Sequence, residues 1–159
     1  MKITILCVGK LKEKFMRDAV NEYSKRLSRY VKLDVAEVAD EKTPDHASER
    51  EEELIREKEG ERLLRHIKGE DHVIALAITG DQYDSVAFSR KLDGFGMSGK
   101  GHVVFVIGGS LGLSEQVLGR ADEELSFSKM TFPHQLMRVI LLEQIYRGYR
   151  ISRGEPYHK

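Results

Sequence analysis

The sequence predicts an α/β fold built on a largely parallel sheet. Short β-branched runs alternate with helix-period segments along the chain, the pattern of strands joined by crossover helices. Two of those runs, at 73–78 and 103–107, are continuously apolar, so both belong to strands covered on two faces. At 159 residues, with 40% hydrophobic and 33% charged, the chain has the size of one domain and the material for a core under a charged surface.

Taken in order, strands are expected at 2–8, 31–38, 72–79, 102–107 and 123–127. Helices are expected at 11–29, 46–68, 85–93, 114–121 and 133–149. The first strand is the apolar run from Ile3 to Val8, and a charged segment beginning at Lys10 leads into the first helix. The helix at 46–68 mixes acids and bases at i,i+4 spacing, which reads as a solvated face. Ser85 and Ser114 are plausible N-caps, and Pro133 suits a first helical turn. Residues 94–101, rich in glycine, read as a loop. In the last helix Leu136, Met137, Val139, Ile140, Leu141, Leu142, Ile145, Tyr146 and Tyr149 go nearly all the way round the axis. A surface helix needs one apolar stripe, so the second side asks for a partner, and a homodimer is the economical answer.

The lone cysteine, Cys7, can form neither an internal disulfide nor a multi-cysteine metal site and reads as an inert core thiol. Apolar runs are too short for a membrane span, and the N-terminus lacks a signal peptide, so a cytoplasmic location is expected. The net charge is zero, which argues against holding nucleic acid by bulk positive charge. Charge is nevertheless segregated: residues 10–32 carry eight Lys/Arg against three acids, residues 40–62 five against ten, and residues 129–159 six against two. The two basic stretches are either solvated helix faces or one patch for phosphates with the acidic helix facing away.

Residues 94–99 match a dinucleotide fingerprint in letters only, because they precede a strand instead of following one. Residues 106–114 do leave a buried strand for a helix, where open α/β sheets bind ligands, so their glycines serve either a ligand loop or a tight turn. On the next connection Phe127, Met130 and Phe132 are apolar where solvent would favour polar residues, which suits a ligand surface whose backbone groups read an adenine edge. His134, taken alone, reads as a capping or packing residue. The C-terminal run from Arg147 to Lys159 mixes arginines with aromatics, a composition that suits stacking on RNA bases or a solvated end. No Ser-His-Asp order, carboxylate pair or His-rich metal spacing stands out, so no metal site is expected.

Three long segments, 104–112, 125–135 and 146–159, together with Met1-Lys2-Ile3 to Val8-Gly9-Lys10, resemble the ribosomal large-subunit methyltransferase H family over the full chain. Membership of the SPOUT methyltransferases is what this resemblance implies. With it come one domain over 1–159 and a deep C-terminal trefoil knot at about 103–159 that holds the cofactor, although general topology rules disfavour knots. The resemblance further implies a homodimer, S-adenosylmethionine as methyl donor, and methylation at N3 of a pseudouridine in a 23S rRNA stem-loop on the assembled 70S ribosome. The tail of one subunit is expected to complete the site of the other. Cofactor contacts fall on Leu76, Gly108, Phe127, Ser128, Lys129, Met130, Thr131 and Phe132. His158 and Tyr157 are the candidates for handling the N3 proton, by general-base action or by stabilising the anion, and Arg153 and Lys159 for holding phosphate or the ionised base. The competing classes are an open-sheet nucleotide enzyme, which lacks its glycine motif after the first strand, and a non-enzymatic ribosome-binding or assembly module.

Overall fold

A computed structural model describes residues 1–159 and shows a three-layer α/β/α domain. The elements are β1 (Lys2–Val8), α1 (Lys14–Leu27), β2 (Lys32–Val38), α2 (Glu49–Leu64), β3 (His72–Asp81), α3 (Ser85–Met97), β4 (His102–Ile107), α4 (Glu115–Arg120), β5 (Glu123–Leu125) and α5 (His134–Ser152). All five strands are parallel, in the order β2-β1-β4-β3-β5.

Continuous apolar sequence puts β1 and β4 at the centre, where both faces are covered; Ile5, Phe105 and Val106 have no exposed surface. One face carries α1, α3 and α5, whose Leu27, Leu92, Leu141, Leu142 and Ile145 pack on Ile3, Ile5, Val103 and Phe105. The other face carries α2 and α4 through Leu63 and Val117 against Leu6, Val8, Val104 and Val106. No helix is long and apolar enough to cross a membrane. Burial pushes the Cys7 thiol up to about 12, the behaviour of an inert core group.

Several boundaries differ from expectation for local reasons. Ser85 is the first residue of α3, and Asp84 is its N-cap, accepting from Ala87 N at 2.7 Å. Ser114 does cap α4, whereas Pro133 stands at the cap of α5, just before its first turn. Residues 94–97 are helical rather than loop, because Phe95 is buried in the core and its ring packs against His72. α2 starts at a capping box between Ser48 and Glu51. Its charged surface is not wholly solvated, since Glu59 is buried. β3 bulges beyond Leu76, so that Leu76 and Asp81 both pair with Leu125.

The all-round apolar character of α5 is largely explained within one chain. Its inner side lies on the sheet and its flanks pack on α1 and α3.

Candidate functional site

From β4 the chain crosses to β5 on the far side of β3, so loops diverge at the carboxyl ends of these strands and leave a crevice. A cavity of about 720 Å³ occupies it, walled by Leu76 to Thr79, the glycine loop 108–113, and the run 125–134 without Lys129. The glycine loop is tightly closed: Gly112 N donates to Gly109 O at 3.1 Å, and a Cβ on Gly108 would lie 2.7 Å from the Gly112 carbonyl carbon. Gly108 is therefore required by the loop's own backbone. Ser126 Oγ donates to Ser128 O, and Met130 N donates to Ser128 Oγ at 2.9 Å, which folds the second loop across the cavity. Met130 stays 73% exposed at the rim.

Two buried ionisable residues brace these loops from outside the cavity. Glu59 lies against Gly109; its Oε2 accepts from Glu41 N, its Oε1 has no partner, and burial raises its pKa above the usual carboxylate range. Arg138, with no exposed surface, pairs with Glu37 at 2.5 Å and donates to the carbonyls of Gly9 (2.7 Å) and Val8 (3.1 Å). It thereby pins the first turn of α5, which carries His134 and Met137 into the cavity wall, to the end of β1. Burial, followed by the Arg138 cation, holds the His134 imidazole below its ordinary pKa.

The C-terminal residues fold back instead of fraying. Gly154 adopts φ +65°, and the amides of Gly154 and Glu155 donate to Ile151 O and Arg150 O, a Schellman turn that reverses the chain. Arg150 then holds Glu155 at 2.5 Å and the Pro156 carbonyl at 2.8 Å. Tyr157 reaches back along α5 and donates to Glu143 Oε2 at 2.8 Å. Arg147 donates to both Glu143 oxygens, lies over the Tyr157 ring at 4.7 Å, and donates from Nη1 to His158 Nδ1 at 3.1 Å. Burial first, then the bond to Glu143, raises the Tyr157 phenol well above its ordinary value, so it stays protonated. His158 lines a second cavity of about 570 Å³, which shares Leu125, Ser126 and Phe127 with the larger one.

The structure thus gathers Leu76, Gly108, Phe127, Ser128, Met130, Thr131 and Phe132 around one cavity; His158 lines only the smaller, neighbouring cavity, and Tyr157 lines neither, being held against Glu143 and Arg147 on α5. Lys129 is exposed and does not line the cavity. Arg153 is exposed over the Tyr30 ring at 5.1 Å, Arg29 lies at the same distance from it, and Arg26 lies over Tyr23 and Tyr146. The two basic stretches meet there, on the sheet face away from α2. Lys159 is exposed at the chain end. Sequence reasoning missed Glu59 and Arg138, hidden in charged helices, and the pair Glu143–Arg147, whose i,i+4 spacing was the available signal. His134, read as a capping or packing residue, is partly buried at the start of α5 and lines the cavity wall.

A family model described as "Predicted SPOUT methyltransferase" matches residues 1–158. Similar proteins include "Ribosomal RNA large subunit methyltransferase H" of Clostridium beijerinckii at 60% identity, of Bifidobacterium adolescentis at 62% and of Clostridium tetani at 62%. Each of these alignments covers 159 residues, 100% of this chain and 100% of the relative.

Proposed function

The chain belongs to the SPOUT methyltransferase family, among the ribosomal RNA large-subunit methyltransferases, and from that premise we propose that it methylates N3 of a pseudouridine in a 23S rRNA stem-loop, with S-adenosylmethionine as donor. The observation that carries this reading is the cavity at the carboxyl ends of β3, β4 and β5, bounded by the glycine loop and the 126–133 run. Its volume of about 720 Å³ suits a nucleoside bearing an amino-acid arm. Its walls are mainly apolar, with the hydroxyls of Thr79, Ser110 and Thr131 and nearby backbone groups available to orient a ligand.

S-adenosylmethionine, when bound, supplies a methyl carbon activated by its sulfonium. Leu76, Phe127 and Phe132 provide apolar walls for the adenosine, and the backbone of 127–132 reads its edge. Gly108 keeps the loop closed over the site. Positioning supplies much of the acceleration in such a transfer, since it replaces a bimolecular encounter by a held geometry. Tyr157 anchors the tail through Glu143, and His158 lines the neighbouring smaller cavity. Arg153, with Arg26 and Arg29, faces phosphate, and the exposed Lys159 is a further cation for the RNA.

The C-terminal segment from about 103 to 159 is read as a trefoil knot, a reading supported by the return of the chain from the edge strand β5 to α5 between α1 and α3. The working unit is a homodimer in the cytoplasm, with the assembled 70S ribosome as substrate; the zero net charge supports a shaped ribosomal surface over free RNA held by charge alone. Calorimetry with S-adenosylmethionine and tritiated-methyl incorporation into 70S ribosomes and protein-free 23S rRNA test the reading. Cofactor binding and incorporation into 70S are expected. Absence of cofactor binding would leave a ribosome-binding module instead, and equal incorporation into naked RNA would remove the ribosome requirement.

A further inference from the structure

The larger cavity is almost without charge of its own. No Asp, Glu, Lys or Arg lines it, and of all its wall residues only His134, in the first turn of α5, has a side chain that ionises near neutrality. The ligand proposed for it is charged. S-adenosylmethionine carries a sulfonium besides the ammonium and carboxylate of its amino-acid arm. Loss of the methyl group leaves both bond electrons on sulfur, so the product, S-adenosylhomocysteine, keeps the arm and lacks that one cation. A single titratable wall group therefore meets two ligands that differ by one positive charge.

The charged groups of the neighbouring elements stay out of the cavity. Arg138, one turn further along α5, has no exposed surface and is held by Glu37 of β2 and by the carbonyls of Val8 and Gly9. Asp40 lies on the connection after β2, Glu59 of α2 lies behind Gly109, and Lys129 does not line the cavity. The glycine loop 108–113 contains no charged residue. Burial and the Arg138 cation, in that order, disfavour the imidazolium of His134, and Asp40 opposes them more weakly. Arg138 is a permanent cation whose guanidinium is committed to these three residues, so its influence on His134 is built into the fold.

We infer that His134 is the charge-selecting residue of the cofactor cavity: as a neutral imidazole it admits the sulfonium donor and the thioether product alike, and as an imidazolium it repels the donor and spares the product. The inference deepens the methyltransferase reading above and rests on it. Two unit positive charges inside one partly buried cavity repel strongly enough to weaken binding by roughly tenfold or more. The amino-acid arm is common to both ligands and cancels from the ratio of their affinities, so that ratio isolates the sulfonium. Linkage makes the effect reciprocal. Bound donor must lower the pH at which His134 takes up its proton, and bound product must lower it less. Around neutral pH the imidazole is uncharged, and the donor enters without a handicap against the product.

Two binding measurements on the full chain test this. In the first, calorimetry gives the affinities for S-adenosylmethionine and S-adenosylhomocysteine from about pH 5 to about pH 8 for wild type, His134→Gln and His134→Lys. The wild-type preference for product over donor should grow by roughly tenfold toward the acid end. His134→Gln, uncharged throughout, should keep a constant ratio, and His134→Lys should show the acid ratio at every pH while still binding the product. The second measurement needs no variant to bind: the His134 imidazole, assigned by the signal lost in His134→Gln, is titrated by NMR in wild type saturated with each ligand. Its midpoint should lie about 1 pH unit lower with the donor than with the product, the same tenfold factor seen from the protein's side. A wild-type ratio independent of pH, a ratio that still moves with pH in His134→Gln, or one and the same His134 midpoint in both complexes would overturn the inference. Failure of the wild-type protein to bind either ligand at any pH would instead overturn the methyltransferase reading beneath it.

Discussion

Replacing Gly108 by alanine tests whether the glycine loop must close on itself to make the cofactor cavity. The added Cβ would lie 2.7 Å from the Gly112 carbonyl carbon and 2.8 Å from its oxygen, where ordinary contact begins at 3.4 Å. The loop has to open by the difference, about 0.7 Å, and the obstacle is backbone, which no side-chain rotation relieves. Overpacking of this kind costs about 1–3 kcal/mol. If the loop relaxes into an open form that binds poorly, affinity for S-adenosylmethionine falls by the same energy, about 5- to 160-fold. Calorimetry measures the affinity and circular dichroism confirms the fold. Gly119, on α4 with open space around it, is the control: Gly119→Ala should bind normally and gain up to about 1 kcal/mol of stability. Unchanged affinity in a folded Gly108→Ala protein would refute the argument that loop closure builds the site.

Arg138→Met should destabilise the chain by about 2–4 kcal/mol in urea titrations, because it strands the carbonyls of Val8 and Gly9 and leaves Glu37 unpaired; a midpoint equal to wild type would contradict the pinning role. Glu59 has a pKa raised by burial, so its contribution to stability is complete below the unfolded carboxylate value, about 4.3, and is lost as pH rises through the raised folded value. Wild type should therefore weaken relative to Glu59→Gln on going from pH 4 to neutrality, and a wild type that strengthens relative to the variant would show the sign to be wrong. Deleting Tyr157, His158 and Lys159 should leave S-adenosylmethionine affinity nearly unchanged while methyl transfer collapses, and full transfer by the truncated protein would remove the tail from the mechanism.

The layer order was legible because the runs at 73–78 and 103–107 are continuously apolar, although only Val73, Ile74 and Ala75 of the first are buried and Ile78 is exposed, and the cavity loops because Phe127, Met130 and Phe132 are apolar on a connection. Element ends were less legible where tertiary packing overrides local preference: Phe95, buried against His72, carries α3 through two glycines that alone suggest a loop. The α5 circumference pointed to a partner outside the chain, yet α1 and α3 already cover much of it, since periodicity cannot say which neighbour a face meets. Arg138 and Glu59 look like ordinary surface charges in their helices; only the fold places one beneath β1 and the other against Gly109. The tail composition left stacking and fraying open, and Gly154 decides it, because its left-handed turn sends Tyr157 back to Glu143.

The central claim is that this chain places one methyl group on a pseudouridine of the large-subunit RNA. Mass mapping of 23S rRNA from cells lacking the protein, compared with the same cells given back the wild-type chain, measures it most directly. The account predicts one pseudouridine-containing fragment lighter by a single methyl group and restored on complementation. A 23S rRNA with every methyl group in place would contradict it.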